Sequence, residues 1–176
     1  CVIVHDPWRP APAIGGHLSP TAGPCDRKLV DQRSDVAVFS SAPLQSSLQL
    51  CGRPLLKLKV SADQPAFDLC AALSRIPADR DEVQQLSTGV LRVRQSMGEE
   101  HSQITLELQP LFVSFQAGDR LRLSLAGASW PAIGVNPGDG EQRFGPPNSE
   151  CRVITLFLDL EEATLRMAPL LVPQAG

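Results

Sequence analysis

Leu121, Leu123 and Leu125 alternate with Arg120, Arg122 and Ser124, directly after the pair Gly118-Asp119. A period of two sends alternate side chains to opposite faces of a strand. A glycine followed by an aspartate that can bond its own backbone marks a turn. The stretch Phe115–Pro131 therefore predicts a turn and then a strand with one buried face. Trp130-Pro131 closes it, since proline has no N–H to give a ladder. The same alternation recurs at 56–60 (Leu-Lys-Leu-Lys-Val), 89–94 (Gly-Val-Leu-Arg-Val-Arg) and 103–108 (Gln-Ile-Thr-Leu-Glu-Leu). Asp35–Ser40 is short and β-rich. Phe67–Leu73 is almost continuously apolar, the pattern of a strand covered on both faces. Leu48–Leu50 and Val153–Leu160 complete the set, and the apolar stretch Leu165–Pro173 predicts a terminal strand. Residues 77–86 read as a charged loop, and 97–102 as a polar turn. About eight or nine strands at roughly 8–15-residue spacing, with no convincing helix, predict an all-β sandwich.

Composition sharpens this picture in a few places. Sixteen prolines and 13 glycines in 176 residues favour many turns. They cluster in a proline/glycine-rich N-terminal segment within residues 1–34, and again in a loop at 131–150. The length fits a single domain spanning 1–176. Hydrophobic residues at 43% supply a core, and a net charge of −3 without a basic block gives nucleic acid nothing to bind. No apolar run approaches ~18 residues, so no helical membrane span is expected. The start, Cys1 to Asp6, lacks a methionine and a leader-like apolar core. It reads as an internal boundary of a longer protein.

Candidate chemistry is sparse. Cys1, Cys25, Cys51, Cys70 and Cys151 form no Cys-x-x-Cys pair, and His5, His17 and His101 complete no zinc pattern. The cysteines are expected to be free thiols in a reducing compartment, with Cys51 and Cys70 packed as small hydrophobes. Asp26, Asp31, Asp35, Asp119, Asp139 and Glu141 match no calcium-loop spacing. A Gly-x-Ser-x-Gly elbow is absent. No catalytic, cofactor-binding or metal-binding residue is assigned. Arg33 is expected to pair with a nearby carboxylate and fix its loop. Trp8 and Trp130 sit beside prolines in long loops, where an aromatic anchors another domain or packs its own loop.

Several segments, taken together, resemble the C-terminal domain of the X-Pro dipeptidyl-peptidase / cocaine esterase family of serine hydrolases. Asp6-Pro7-Trp8-Arg9-Pro10-Ala11-Pro12-Ala13-Ile14-Gly15-Gly16 is similar to its Asp-Pro-x-x-Pro-x-Pro-x-x-Gly-Gly motif. Arg33-Ser34-Asp35-Val36, continuing to Pro43-Leu44, follows its next motif. Gly52-Arg53-Pro54, Ser61-Ala62-Asp63 with Phe67-Asp68, Gly89 to Arg94, Ala117 to Leu123, and Ser129-Trp130-Pro131 with Asn136 to Gly140 come in the family's order. Two departures are visible: His17-Leu18-Ser19-Pro20 matches no fixed pattern, and Trp130 stands where the family often has Phe.

The resemblance implies a jelly-roll, galactose-binding-like β-sandwich, with the first strand or two expected to be missing and a sheet edge left open to a homodimer partner. It implies a non-catalytic accessory role, without a cofactor, in a cytoplasmic hydrolase acting on Xaa-Pro peptides or on acyl or amino-acid esters. The implied partner is the hydrolase's own N-terminal α/β domain, which carries the catalytic triad. The facing loops would be Asp6–Leu18 and Ser129–Arg143, with Trp8, Arg9, Leu18, Trp130, Asp139 and Arg143 at the interface. The same fold also supports carbohydrate-binding modules, which is the alternative reading.

Overall fold

The computed structural model describes residues 1–16, 19, 22–94, 102–141 and 144–167. The expectations placed on His17, Leu18, His101, Arg143, residues 97–101 of the polar turn and the tail beyond Met167 therefore lie outside the described residues, while Ser102, read as part of that turn, opens a strand. In chain order the strands are β1 (Val2–His5), β2 (Val36–Ser40), β3 (Leu48–Gly52), β4 (Leu55–Ala62), β5 (Ala66–Ile76), β6 (Gln84–Arg94), β7 (Ser102–Glu107), β8 (Leu111–Phe115), β9 (Arg120–Ala126) and β10 (Ile154–Arg166). One sheet has the order β1-β10-β4-β7 and a second β2-β9-β5-β6, while β3 and β8 form a two-stranded ribbon. Every strand pair is antiparallel. No helix among the described residues is long and apolar enough to cross a membrane.

The two larger sheets form the sandwich that the alternation predicts. Inward side chains of the first, Ile3, Leu56, Leu58, Leu106 and Leu156, meet Phe67, Leu69, Leu73 and Leu125 of the second in one core. Each such side chain contributes about 1.5–3 kcal/mol when fully buried. β5 is covered on both faces over its first nine residues, as its apolar run implies. Its outer face carries Asp68, Cys70, Ala72 and Ser74, all buried.

The N-terminal loop, held down by a polar clamp, lies over Cys70 and Ala72, and the turn at Asn136 lies over Asp68. Arg27 Nε donates to Asp31 Oδ1 at 3.0 Å and its Nη1 to Gln85 Oε1 at 2.7 Å. Gln85 Nε2 then donates to the Ile14 carbonyl at 2.7 Å. Buried polar groups are tolerable when partnered in this way.

Several local expectations are corrected. Val2–His5 forms β1 ahead of Asp6-Pro7, so a strand precedes that motif. One helical turn, α1 (Lys28–Asp31), lies in the N-terminal segment. β6 begins at Gln84 rather than Gly89, because Gln85 and Ser87 find buried partners. β8 was not marked by alternation. The outer face of β9 is also covered at its end, where Ser124 is buried. β9 stops at Ala126, before Trp130.

Candidate docking surface

β1 leads directly into the proline-rich loop. Its alternation turns Ile3 and His5 inward and Val2 and Val4 outward, where they are 56% and 48% exposed. Val2 pairs across the ladder with Phe157, itself 40% exposed. The result is an apolar strip on the outside of the first sheet. Trp8, 54% exposed, follows three residues after the strand ends.

Asp6 shapes that turn. Its Oδ1 accepts the Trp8 N–H at 2.9 Å, and its carbonyl accepts the Arg9 N–H at 3.0 Å. Arg33 supports the loop from behind. Its Nε and Nη2 donate to the two oxygens of Asp35, both at 2.7 Å, and Nη2 also reaches the Arg9 carbonyl at 2.7 Å. This is the expected Arg33–carboxylate pair. Val4, Asp6, Arg9, Arg33, Ser34 and Asp35 line a cleft of about 440 Å³ here.

The second tryptophan loop is tied to the first. Ala13 N–H donates to the Trp130 carbonyl at 2.6 Å, and Trp130 N–H to the Ala11 carbonyl at 3.0 Å. The Trp130-Pro131 peptide is cis. Thus Trp8, Arg9 and Trp130 belong to one joined pair of loops. Trp130 itself is half-buried.

Asp139 belongs to a separately anchored turn. Asn136 Nδ2 donates to the buried Asp68 Oδ1 at 2.9 Å, and Asn136 Oδ1 accepts the Gly138 N–H at 3.0 Å. Arg92 pairs with Asp68 at 3.3 Å, donates to the Gly134 carbonyl at 2.7 Å and lies 3.5 Å over the Phe144 ring. Burial pushes the Asp68 carboxyl above its usual range, with Asn136 and Arg92 opposing the shift. Asp139 Oδ1 accepts the Glu141 N–H at 2.8 Å within its own turn. Sequence reasoning passed over Val2, Val4 and Phe157, because nothing in their residue types separates an outward valine from a core one.

His5 is buried and its Nε2 has no hydrogen-bond partner. All five cysteines are free. Burial pushes the Cys25 and Cys70 thiols up, away from the reactive thiolate. No group of three or more His, Cys, Asp or Glu among the described residues is placed to hold a metal ion.

The chain matches the family model of the X-Pro dipeptidyl-peptidase C-terminal non-catalytic domain over residues 6–161, and it belongs to that family. No match was found among curated proteins. Its fold is similar to part of an aminopeptidase from a marine-sediment Thaumarchaeota archaeon, with a TM-score of 0.79 and 18% identity over 97% of this chain and 33% of that one. An α-amino acid ester hydrolase gives a TM-score of 0.81 at 18% identity, over 94% of this chain and 32% of that one. A CocE/NonD family hydrolase from Staphylococcus aureus gives 0.56 at 18% identity, over 84% and 32%. The chain thus spans about a third of the length of these proteins.

Proposed function

We propose that this chain is the C-terminal accessory domain of a longer cytoplasmic serine hydrolase that cleaves Xaa-Pro peptides or amino-acid and acyl esters. It docks on the catalytic α/β domain through the joined Trp8 and Trp130 loops and the apolar strip of β1, and it walls the substrate cleft. The observation that carries this reading is the exposed run Val2, Val4, Phe157 and Trp8 beside the tied loops, in a chain of a non-catalytic domain family. Apolar surface of this kind marks an interaction site when it is contiguous. The family match gives the carbohydrate-module alternative no support.

Trp8→Asp in the full-length protein tests the reading. The side chain is exposed, so unfolding of the isolated domain is expected to shift by no more than about 0.5 kcal/mol. In the full-length enzyme, kcat/KM on Xaa-Pro amides or amino-acid esters is expected to fall by roughly tenfold or more, since a charge at a docked aromatic costs ~1.4 kcal/mol or more. An unchanged kcat/KM on every active substrate contradicts the docking role.

A further inference from the structure

The N-terminal loop does not settle onto the second sheet everywhere. Between that loop, the Trp130 loop and the sheet's outer face lies a cavity of about 230 Å³. Its floor is made of short side chains: Cys70 pairs across the ladder with Ala126, and Ala72 follows on the same face. Ile14 and Ile133 line it from the two loops. One side is bounded by a seam between β6 and β7, where Gln109 N–H donates to the Thr88 carbonyl at 2.9 Å and Ser87 Oγ to the Gln109 carbonyl at 2.6 Å. The loops are not free to drop into this space. Ala11 and Ala13 are bonded to Trp130, and the Gln85 amide holds the Ile14 carbonyl. A void leaves its walls without dispersion partners, so a molecule that fills a cavity held open in this way is bound favourably.

Arg27 supplies a polar wall. It is 7% exposed and lines the cavity. Its Nε and Nη1 are taken by Asp31 and Gln85, while its Nη2 has no partner among the described residues. Charge is unbalanced there, because Arg27 at 3.0 Å and Arg122 at 3.4 Å share the one Asp31 carboxylate. The Glu107 carboxylate, which also lines the cavity, is already paired with Arg53 at 2.8 Å. The Arg27 charge reaches the floor: burial and Asp68 push the Cys70 thiol up, and Arg92 and Arg27 oppose them. A buried guanidinium with a donor to spare selects an anion, and carboxylate oxygens suit its planar fork. The floor of Cys70, Ala72 and Ala126 selects a hydrocarbon body. At ~30 Å³ per water the cavity holds on the order of eight waters, or a molecule of about as many non-hydrogen atoms.

We propose that this cavity binds a short-chain monocarboxylate, with its carboxylate on Arg27 and its hydrocarbon chain over Cys70, Ala72 and Ala126. The docking reading rests on the exposed Trp8 and β1 strip and this one on a buried floor, so the two fail separately.

Titration of the 176-residue chain with hexanoate at about pH 7, where the acid is ionised, tests it through the backbone amide NMR shifts of residues 70–72, 85–89 and 126–133. Hexanoate is expected to move those shifts saturably. Acetate, which lacks the chain, and hexylammonium, which reverses the charge, are each expected to bind at least about tenfold more weakly. Ala72→Leu, which fills the floor, and Ala132→Phe, which blocks the cavity from the loop without touching the sheet, are each expected to weaken hexanoate by roughly tenfold or more. Absence of saturable shifts at those residues overturns the proposal. Equal binding of hexanoate and hexylammonium, or undiminished hexanoate binding by either folded variant, overturns it as well.

Discussion

His5, the last residue of β1, packs against Gly127 just beyond the end of β9. Gly127 leaves room for it: a Cβ added there would lie 2.6 Å from the His5 Cβ. Burial lowers the His5 pKa, while Asp35 and Asp6 pull the other way. The sign of the pH dependence follows. Above the unfolded value of ~6.5 both states hold a neutral ring, and burial carries no charge penalty. As pH falls below that value the unfolded chain takes up its proton first. Stability then declines, by up to ~1.4 kcal/mol per pH unit, until the folded-state pKa is reached. Urea unfolding at about pH 7.5 and about pH 5 is therefore expected to show a larger acid loss for the native chain than for His5→Leu. Equal losses contradict this account of the residue. Asp119 shows the reverse balance. Burial opposes its charge, but the Gln116 and Ala78 N–H groups and the Arg75 guanidinium hold its carboxyl below the usual range. The turn read at Gly118-Asp119 is thus a buried, charge-assisted anchor, not a solvated bend.

At the scale of elements, the seam between β6 and β7 depends on a missing side chain. Gly89 faces inward, and a Cβ there would lie 2.3 Å from the Glu107 carbonyl oxygen and 3.0 Å from the Leu108 Cα. Both are backbone atoms, so relief requires one sheet edge to move. Gly89→Ala is expected to destabilise by about 3 kcal/mol, the upper range for overpacking. A loss below ~1 kcal/mol in urea unfolding contradicts that packing. This seam also explains what the sequence made legible. β4, β7 and β9 alternate visibly because one of their faces meets solvent for much of its length. β5 reads as continuous because the N-terminal loop and the turn at Asn136 cover its second face. The first half of β6 was hidden because its buried positions, Gln85 and Ser87, are polar. Their partners, Arg27, the Ile14 carbonyl and the Gln109 carbonyl, are distant in sequence. β1 is four residues with no polar rhythm, and β8 turns Phe112 outward at 69% exposure, so neither strand announces itself.

At the scale of the whole molecule, the order of motifs carried more than any one of them. It pointed to the family and to the sandwich, and it placed Trp8, Arg9 and Trp130 in two loops that the fold ties together through Ala11 and Ala13. Asp139 lies close to Trp130 in sequence. Its turn is instead fastened to β5 and β6 through Asn136, Asp68 and Arg92, a link that only tertiary contact reveals. Val2, Val4 and Phe157 add an exposed apolar strip on β1 and β10.

The most direct measurement of the docking claim is amide hydrogen exchange of this chain alone against the same residues within the full-length protein. Docking through this face predicts slower exchange in the full-length protein at Val2–Arg9 and Ser129–Ile133, with the β3–β8 ribbon unaffected. Unchanged exchange at those two segments, with new protection confined to β3, β8 or the Asp139 turn, would contradict it.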